Sequence, residues 1–430
     1  MTLEANRQGA PGATRPGAPG SEQARRAPHV LLGVTGCIAA YKAAEVVRGL
    51  QKAGCEVRVA MTRAAERFIG PVTFEALTGQ PVLRDLFDDP VSPIPHIERA
   101  EWADLVAVVP CTASVMAKAA AGIADDALTS TLLAAQGPVL LAPAMNVHMW
   151  KNPATQANVR TLRSRGVEVV TPDSGRLACG DVGEGKLPPV ERLVEAIAAA
   201  ARRAAWPQPL AGRRVVVTAG PTHEAVDPVR YLANSSSGKM GVALARAARD
   251  LGAAVTLVLG PVALDAPFGV AVEPVTSAAE MAERTLAAAA GADLVVCAAA
   301  VADYTPAAPA DHKLKKAAEH LDAIPVVETR DILAAVSALP GERVVVGFAA
   351  ETDDLLGHAR AKLASKGCDL VVANDVSRPG IGFGSDENAV TLITADGERA
   401  VPTAPKDDIA RAVIDAACDL MTSAPNRSEA

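Results

Sequence analysis

The chain has 430 residues, 50% hydrophobic but only 3% aromatic, with a formal net charge of −7. That length exceeds what a single core uses, so at least two cores are expected; scattered basic residues exclude the clustered positive face of a nucleic-acid binder, and no apolar run reaches the roughly 18 residues of a membrane span. The N-terminus lacks the charged-then-apolar order of a secretory signal, and seven cysteines without a CxxC pair argue against a disulfide framework or zinc site and for a reducing cytoplasm.

Residues 1–28 are rich in Gly, Pro, Ala and Arg and read as a disordered tail. From His29, β-branched runs alternate with Ala-rich helical stretches. "HVLLGVTG" and "EVRVAMT" read as strands around a crossover helix, "AAYKAAEVVRGLQKAG", and "ADLVAVVP" and "GPVLLAPAMN" continue the series. Uninterrupted apolar strands between helices predict a parallel sheet covered on both faces.

Ligands of such sheets bind at the carboxyl ends of strands. The first end is "GVTGCIAAYK". Gly33 and Gly36 permit close backbone approach, Thr35 offers a hydroxyl, and the following helix presents N–H groups to an anion; a purely structural turn explains the same residues. The turn lacks GxGxxG and an acidic residue after the second strand, which argues against a dinucleotide fold and a nicotinamide oxidoreductase. The third strand ends at Pro110-Cys111-Thr112 and the next at Pro143-Ala144-Met145-Asn146. In "SPIPHIERAEWADL", His96 opens a helix, where it either caps the helix end or acts chemically.

"LACGDVGEGK" matches the GxxxxGK spacing of a P-loop over Gly180 to Lys186, yet Leu187 replaces the magnesium-holding Ser/Thr and Pro188-Pro189 follow. Cys179 has no neighbouring metal ligands. The remaining reading is a flexible loop displaying a thiol, which at its ordinary pKa near 8.5 is protonated at neutral pH and serves as an acid.

A helix, "PVERLVEAIAAAARRAA", runs into "WPQPLAGRR", the linker candidate. The pattern restarts with "RRVVVTAG", "AAVTLVLG", "ADLVVCAAA", "RVVVGFAAE" and "CDLVVAND", and "ENAVTLITADGERAVP" reads as a terminal hairpin turning at Asp396-Gly397. Asp104, Asp293 and Asp369 each precede Leu-Val at the start of a buried strand. The chain therefore divides into α/β units over 29–203 and 213–423, joined by 204–212, with a second tail over 424–430. In the second unit, Asn234, Ser235, Ser236, Ser237 and Gly238-Lys239 precede an Ala-rich helix and can bind an anion, although one serine suffices for a helix cap. Asp303 lies just past a buried strand, suited to magnesium; Lys313, Lys315 and Lys316 follow, and Lys362 and Lys366 share one helical face.

"GVTGCIAAYK", "SPIPHIERAEWADL", "PAMN" and "ACGDVGEGK", in this order, resemble the flavin-dependent cysteine decarboxylases, in particular the phosphopantothenoylcysteine decarboxylase half of the bifunctional bacterial coenzyme A enzymes. The resemblance implies a flavodoxin-like domain, FMN held by Gly33, Thr35, Gly36, Thr62 and Thr112, His96 as the catalytic histidine, Asn146 as the carboxylate binder, and Cys179 as the proton donor. The chemistry suits those types. Loss of CO2 from an N-acylcysteine leaves a carbanion, and two-electron oxidation to a thioaldehyde provides the sink; a histidine moves protons near neutrality. Cys111 stands where alanine is usual, and Lys186-Leu187 where arginine often comes first.

Nearly all of 213–423 resembles the phosphopantothenate–cysteine ligase half of the same enzymes. This implies a Rossmann-like domain in which CTP activates the pantothenate carboxylate as an acyl-cytidylate and cysteine displaces CMP. Matching positions assign CTP to Cys297, Ala298, Ala299, Asp303, Lys313, Arg330, Asp331, Ile332, Leu333, Phe348, Lys362 and Lys366, the acyl-cytidylate to Asn234, catalysis also to Lys313, and Mg2+ to Asp303. Arg330 stands where proline is common. The family implies flavin-domain trimers and ligase-domain dimers assembled as a dodecamer. The competing class is a flavin-binding regulatory subunit without catalysis, which loss of His96 or Cys179 would favour; both are present.

Overall fold

The computed structural model describes residues 25–87, 92–177, 180–315, 323–351, 354–375 and 384–423. Strands β1 (His29–Val34), β2 (Glu56–Met61), β3 (Leu105–Cys111), β4 (Val139–Pro143) and β5 (Glu168–Val169) form a five-stranded sheet in the order β2-β1-β3-β4-β5, all parallel. Its faces are covered by α1 (Lys42–Lys52), α2 (Pro71–Thr78), α3 (Pro95–Trp102), α4 (Ala113–Ala121), α5 (Ala127–Ala134), α6 (Val147–Lys151), α7 (Pro153–Ser164) and α8 (Val190–Ala205). Alternation explains the apolar runs: Val30, Leu32 and Val34 enter one core while Leu31 enters the other. The order is that of a flavodoxin-like sheet, whose switch point lies between β1 and β3.

Gly180 to Lys186 are not a phosphate loop. Val182–Lys186 is strand β7, antiparallel to β6 (Asp173–Arg176), so the expected flexible loop is a β-hairpin on both sides of its tip. Cys179 itself lies outside the described residues.

The second half carries β8 (Arg214–Ala219), β9 (Glu224–Ala225), β10 (Tyr231–Leu232), α9 (Lys239–Asp250), β11 (Ala254–Leu259), β12 (Ala271–Pro274), α10 (Ala278–Ala289) and β13 (Leu294–Cys297). It continues with β14 (Tyr304–Pro306), β15 (Val326–Glu328), α11 (Ile332–Ser337), β16 (Val344–Glu351), α12 (Leu355–Lys366), β17 (Leu370–Asp375), β18 (Glu387–Thr394), β19 (Gly397–Pro405) and α13 (Lys406–Ser423). Its eight-stranded sheet runs β12-β11-β8-β13-β16-β17-β18-β19. The first six strands of that order are the Rossmann-like arrangement; the expected terminal hairpin, β18 with β19, adds two antiparallel strands. Small ladders join β9 to β10 and β14 to β15.

The repeated Asp-Leu-Val has a physical cause. Asp293 Oδ2 accepts the backbone N–H of Arg214, the first residue of β8, at 2.8 Å, and Asp369 Oδ2 accepts that of Val345 in β16 at 2.8 Å. Each aspartate thus satisfies an N–H at the open start of the neighbouring strand.

The segment between the halves is built into them. Leu210 is buried and its N–H donates to the Leu251 carbonyl at 3.0 Å. Glu195 of α8 accepts from Arg246 of α9 at 3.0 Å and from the Phe268 N–H at 3.2 Å. Arg25, placed in the tail by composition, pairs with Asp415 at 2.7 Å. Among the described residues, no helix is long and apolar enough to cross a membrane.

Candidate functional site

Each sheet opens at its switch point into a pair of adjoining clefts. In the first half, one cleft of about 510 Å3 is lined by Gly36, Cys37, Tyr41, Thr112, Met145, Asn146, Arg176 and Lys186, among others. Its neighbour, about 730 Å3, is lined by Thr62, Arg63, Arg84, Ser114, Lys118 and Asp126 and shares Gly36, Thr112, Ala113 and Met149 with the first. Both volumes fall in the range of ligand sites. Gly36 is required by packing, because a Cβ there would sit 2.5 Å from the Ala64 Cβ. Gly33 lies inside the sheet, where a Cβ would meet Leu128 at 2.6 Å.

Thr35 reaches the switch point but spends its hydroxyl internally. Its buried Oγ1 donates to the Pro110 carbonyl at 2.7 Å and accepts the Thr112 N–H at 3.0 Å. Thr112 then caps α4, accepting from Val115 at 3.4 Å, and leaves the first α4 amides facing the cleft, a setting for an anion. Cys111 is wholly buried, its thiol pushed up to about 12 by desolvation.

Asn146 lines the first cleft; its Oδ1 accepts from His148 N–H at 2.8 Å and its Nδ2 donates to Asp181 at 2.7 Å. That second bond ties it to the hairpin near Cys179. Gly185 of "GDVGEGK" serves this docking: its carbonyl accepts the Met145 N–H at 3.0 Å, and a Cβ on it, at φ 134°, would lie 2.3 Å from the Met145 oxygen. His96 sits in the first turn of α3 and is not among the residues lining either cleft; its Nδ1 is buried and has no hydrogen-bond partner among the described residues.

In the second half, a cleft of about 510 Å3 is lined by Cys297, Ala299, Asp303, Arg330, Asp331, Ile332, Leu333, Phe348, Lys362 and Lys366. Positions far apart in sequence are thereby gathered on one wall. An adjoining cleft of about 430 Å3 is lined by Asn234, Ser235 to Gly241, Ala298, Asn374, Asn388 and Lys406, and shares Ala299, Val301, Asp303, Phe348 and Lys362 with the first. Asn234 Nδ2 donates to the Val301 carbonyl at 2.9 Å, so the serine loop is pinned to the strand-end loop carrying Asp303. Lys313 lines neither cleft; its neighbour Leu314 donates its N–H to Asp227 at 3.2 Å. Lys316 lies outside the described residues.

Electrostatics separate the lysines. Lys362 donates to the Phe348 carbonyl at 2.7 Å, whereas Lys366 pairs with Asp331 at 2.6 Å, which raises its pKa. Burial pulls the Asp331 carboxyl up, but the Ala334 amide and Lys366 hold it below the ordinary carboxylate range. Lys239 is engaged by Asp386 at 2.7 Å. Burial lowers the pKa of Lys406, and Lys239 lowers it further. Cys297 has its thiol pushed up to about 12 by burial, so it offers a neutral surface.

Sequence reasoning missed Cys37, Met145, Arg176 and Lys186 in the first half and Thr218, Glu328, Thr329, Asn374, Asn388 and Lys406 in the second. The strand-end rule would have found Thr218 and Asn374. Asn388 and Lys406 come from an antiparallel strand and the last helix, where that rule has no force.

Residues 20–202 match the Flavoprotein family model, and residues 210–420 match the DNA/pantothenate metabolism flavoprotein C-terminal domain. A coenzyme A biosynthesis bifunctional protein CoaBC of Vibrio vulnificus is 48% identical over 376 residues, covering 87% of this chain and 93% of that protein. The crystal structure of a CoaBC C-terminal domain is 36% identical, covering 50% of this chain and 100% of that one, with a TM-score of 0.44. That of an FMN-dependent cysteine decarboxylase, SpaF, is 36% identical, covering 42% and 98%, with a TM-score of 0.37.

Proposed function

The chain belongs to the family of bifunctional coenzyme A biosynthesis proteins, and from that premise we propose how its residues divide the work. The protein is a flavin-binding enzyme with a phosphopantothenoylcysteine decarboxylase and a phosphopantothenate–cysteine ligase activity; a regulatory subunit without catalysis is not favoured. We assign decarboxylation to 29–203 and ligation to 213–423, divided at 204–212.

In the ligase half, CTP occupies the cleft that Asp303, Arg330 to Leu333, Phe348, Lys362 and Lys366 line, and the 4′-phosphopantothenate occupies the adjoining cleft beside Asn234 and the serine run. The carboxylate and the α-phosphate then meet at the shared wall of Ala299, Asp303 and Lys362. That shared wall is the observation that carries the reading. Asp303, on the wall that the two clefts share, would hold Mg2+ together with the nucleotide. Lys362 and Lys366 balance phosphate charge, and Lys313, which lines neither cleft, is assigned to the nucleotide by the resemblance alone, its loop held by Asp227.

In the decarboxylase half, the residues fit FMN through the paired clefts and the α4 N-terminus, while Arg63, Arg84 and Lys118 of the second cleft are paired with Asp85, Glu66 and Asp125. When bound, FMN supplies the two-electron exchange that decarboxylation requires. Asn146 orients the substrate carboxylate without a fixed positive charge, Cys179 delivers the final proton, and His96, whose buried Nδ1 has no partner among the described residues, is given the other proton by the resemblance. We place the enzyme in the cytoplasm and assemble it from flavin-domain trimers and ligase-domain dimers as a dodecamer. The nucleotide assignment is tested by titrating Mg2+–CTP onto Lys362→Ala and Lys366→Ala. Dissociation constants raised about 10-fold or more support it, as expected for loss of a charged contact; affinities equal to the parent overturn it.

A further inference from the structure

Two hydroxyls outside the expected site converge on the backbone of one residue, Ala302, one on its N–H and one on its carbonyl. Thr222, wholly buried, accepts the Ala302 N–H at Oγ1 over 3.1 Å. Thr329 donates from Oγ1 to the Ala302 carbonyl at 2.7 Å, and its own N–H donates to the Asp303 carbonyl at 2.9 Å. Two residues upstream, the Ala300 N–H donates to the Gly220 carbonyl at 2.9 Å.

The loop after β13 has left the sheet ladder and must find other partners for its backbone. It finds them in the segment after β8 and at the end of β15, and between them comes Asp303. Thr329 also immediately precedes Arg330, which opens the Arg330–Leu333 wall of the nucleotide cleft. Ala302, held at both its N–H and its carbonyl, is therefore the joint through which three chain segments share one geometry. Side-chain hydroxyls make it directional, because each presents one oxygen in a rotamer restricted by β-branching.

We propose that Thr222 and Thr329 are positioning residues of the ligation reaction. By holding Ala302 at its N–H and its carbonyl they fix Asp303 against the Arg330–Leu333 wall, and so fix how the metal ion and nucleotide would sit together. The inference rests on reading Asp303 as the Mg2+ ligand. Neither hydroxyl touches a reacting atom; supporting groups of this kind typically change metal affinity or activity by about 10- to 100-fold when removed.

The test uses the full-length flavin-loaded protein with Thr222→Val, which keeps the shape and removes the hydroxyl, and Thr222→Ser, which restores it. Thr222→Val is expected to raise the Mg2+ concentration that half-saturates CTP binding, followed by titration calorimetry, and that for half-maximal pyrophosphate release, and to lower kcat, each by about 10-fold. The KM for cysteine, the flavin spectrum and decarboxylation of supplied phosphopantothenoylcysteine remain at parental values, and Thr222→Ser recovers the Mg2+ response. Thr329→Val provides the same reading if Thr222→Val folds poorly. Parental Mg2+ response and kcat in both valine variants overturn the proposal, as does a serine variant as impaired as valine. Asp303→Asn separates the two claims: an unchanged Mg2+ requirement there removes the metal assignment, whereas the clamp stands or falls on kcat in Thr222→Val against Thr222→Ser.

Discussion

The Asp104 carboxylate accepts the backbone N–H of His29 at 2.7 Å and also grips Arg26, fastening the first strand to the start of its neighbour before either enters the core. Asp293 repeats the arrangement with Arg214 and Arg213. Replacing Asp104 or Asp293 with alanine is expected to destabilise its half by about 1.5–3 kcal/mol, the scale of a hydrogen bond to a charged group, measured by urea denaturation.

The same carboxylates predict an acid limit. Burial pulls both upward, but for Asp104 the Arg26 guanidinium and His29 amide, and for Asp293 the Arg214 amide and Arg213, hold them below the ordinary range. A depressed folded pKa gives stability that is present above the unfolded value of about 3.9 and lost as pH falls through the folded value. Melting temperatures should therefore fall as pH is lowered from about 5 towards 3, and Asp104→Asn and Asp293→Asn should flatten that slope. Variants that keep the parental slope contradict the assignment.

Gly185→Ala forces a Cβ against the Met145 oxygen at a φ of 134°, lifting the hairpin off the segment that holds Asn146. Decarboxylation is expected to fall by about 100-fold, the cost of misplacing a reacting group by an ångström. Pyrophosphate release by the ligase half should be unaffected. Radiolabelled CO2 and pyrophosphate, counted separately, check this.

Thr35→Val removes the hydroxyl that joins Pro110 to Thr112. Two buried backbone groups lose a partner, at about 1–3 kcal/mol each, and the α4 N-terminus is freed to shift. The purified variant should retain less flavin after dialysis, read from visible absorbance per chain. Full retention with parental stability would show that Thr35 does not organise this site.

Much of this architecture is legible in the sequence because buried parallel strands are written as apolar runs, and "HVLLGV", "LVAVVPC" and "LVVAND" sit in the structure as strands. The hairpin at Asp396-Gly397 is legible for the same local reason. Strand order is not, since it depends on crossovers that leave no local mark. Asp104 and its two counterparts are visible as strand openers, but their bonds to the next strand are not, because the acceptor and the amide are 75 residues apart in the case of His29. Thr222 and Thr329 are hidden for that reason too: their partners are backbone groups, which carry no residue identity. Of the loop read at Gly180 to Lys186, Val182–Lys186 is hairpin strand, with Gly185 placed by close approach to Met145 and Gly183 by close approach to Val147. The preference for CTP comes from the resemblance alone.

The central claim is that one chain ligates and then decarboxylates, with the Cys179 thiol closing the second reaction. The decisive measurement supplies CTP, cysteine and 4′-phosphopantothenate to the parent and to Cys179→Ser, and follows pyrophosphate, CO2 and 4′-phosphopantetheine together. The account predicts equal pyrophosphate release in both proteins, bound flavin in both, and 4′-phosphopantetheine from the parent only, the serine variant stopping at the decarboxylated, still-oxidised thiol product. Undiminished 4′-phosphopantetheine from Cys179→Ser would contradict it.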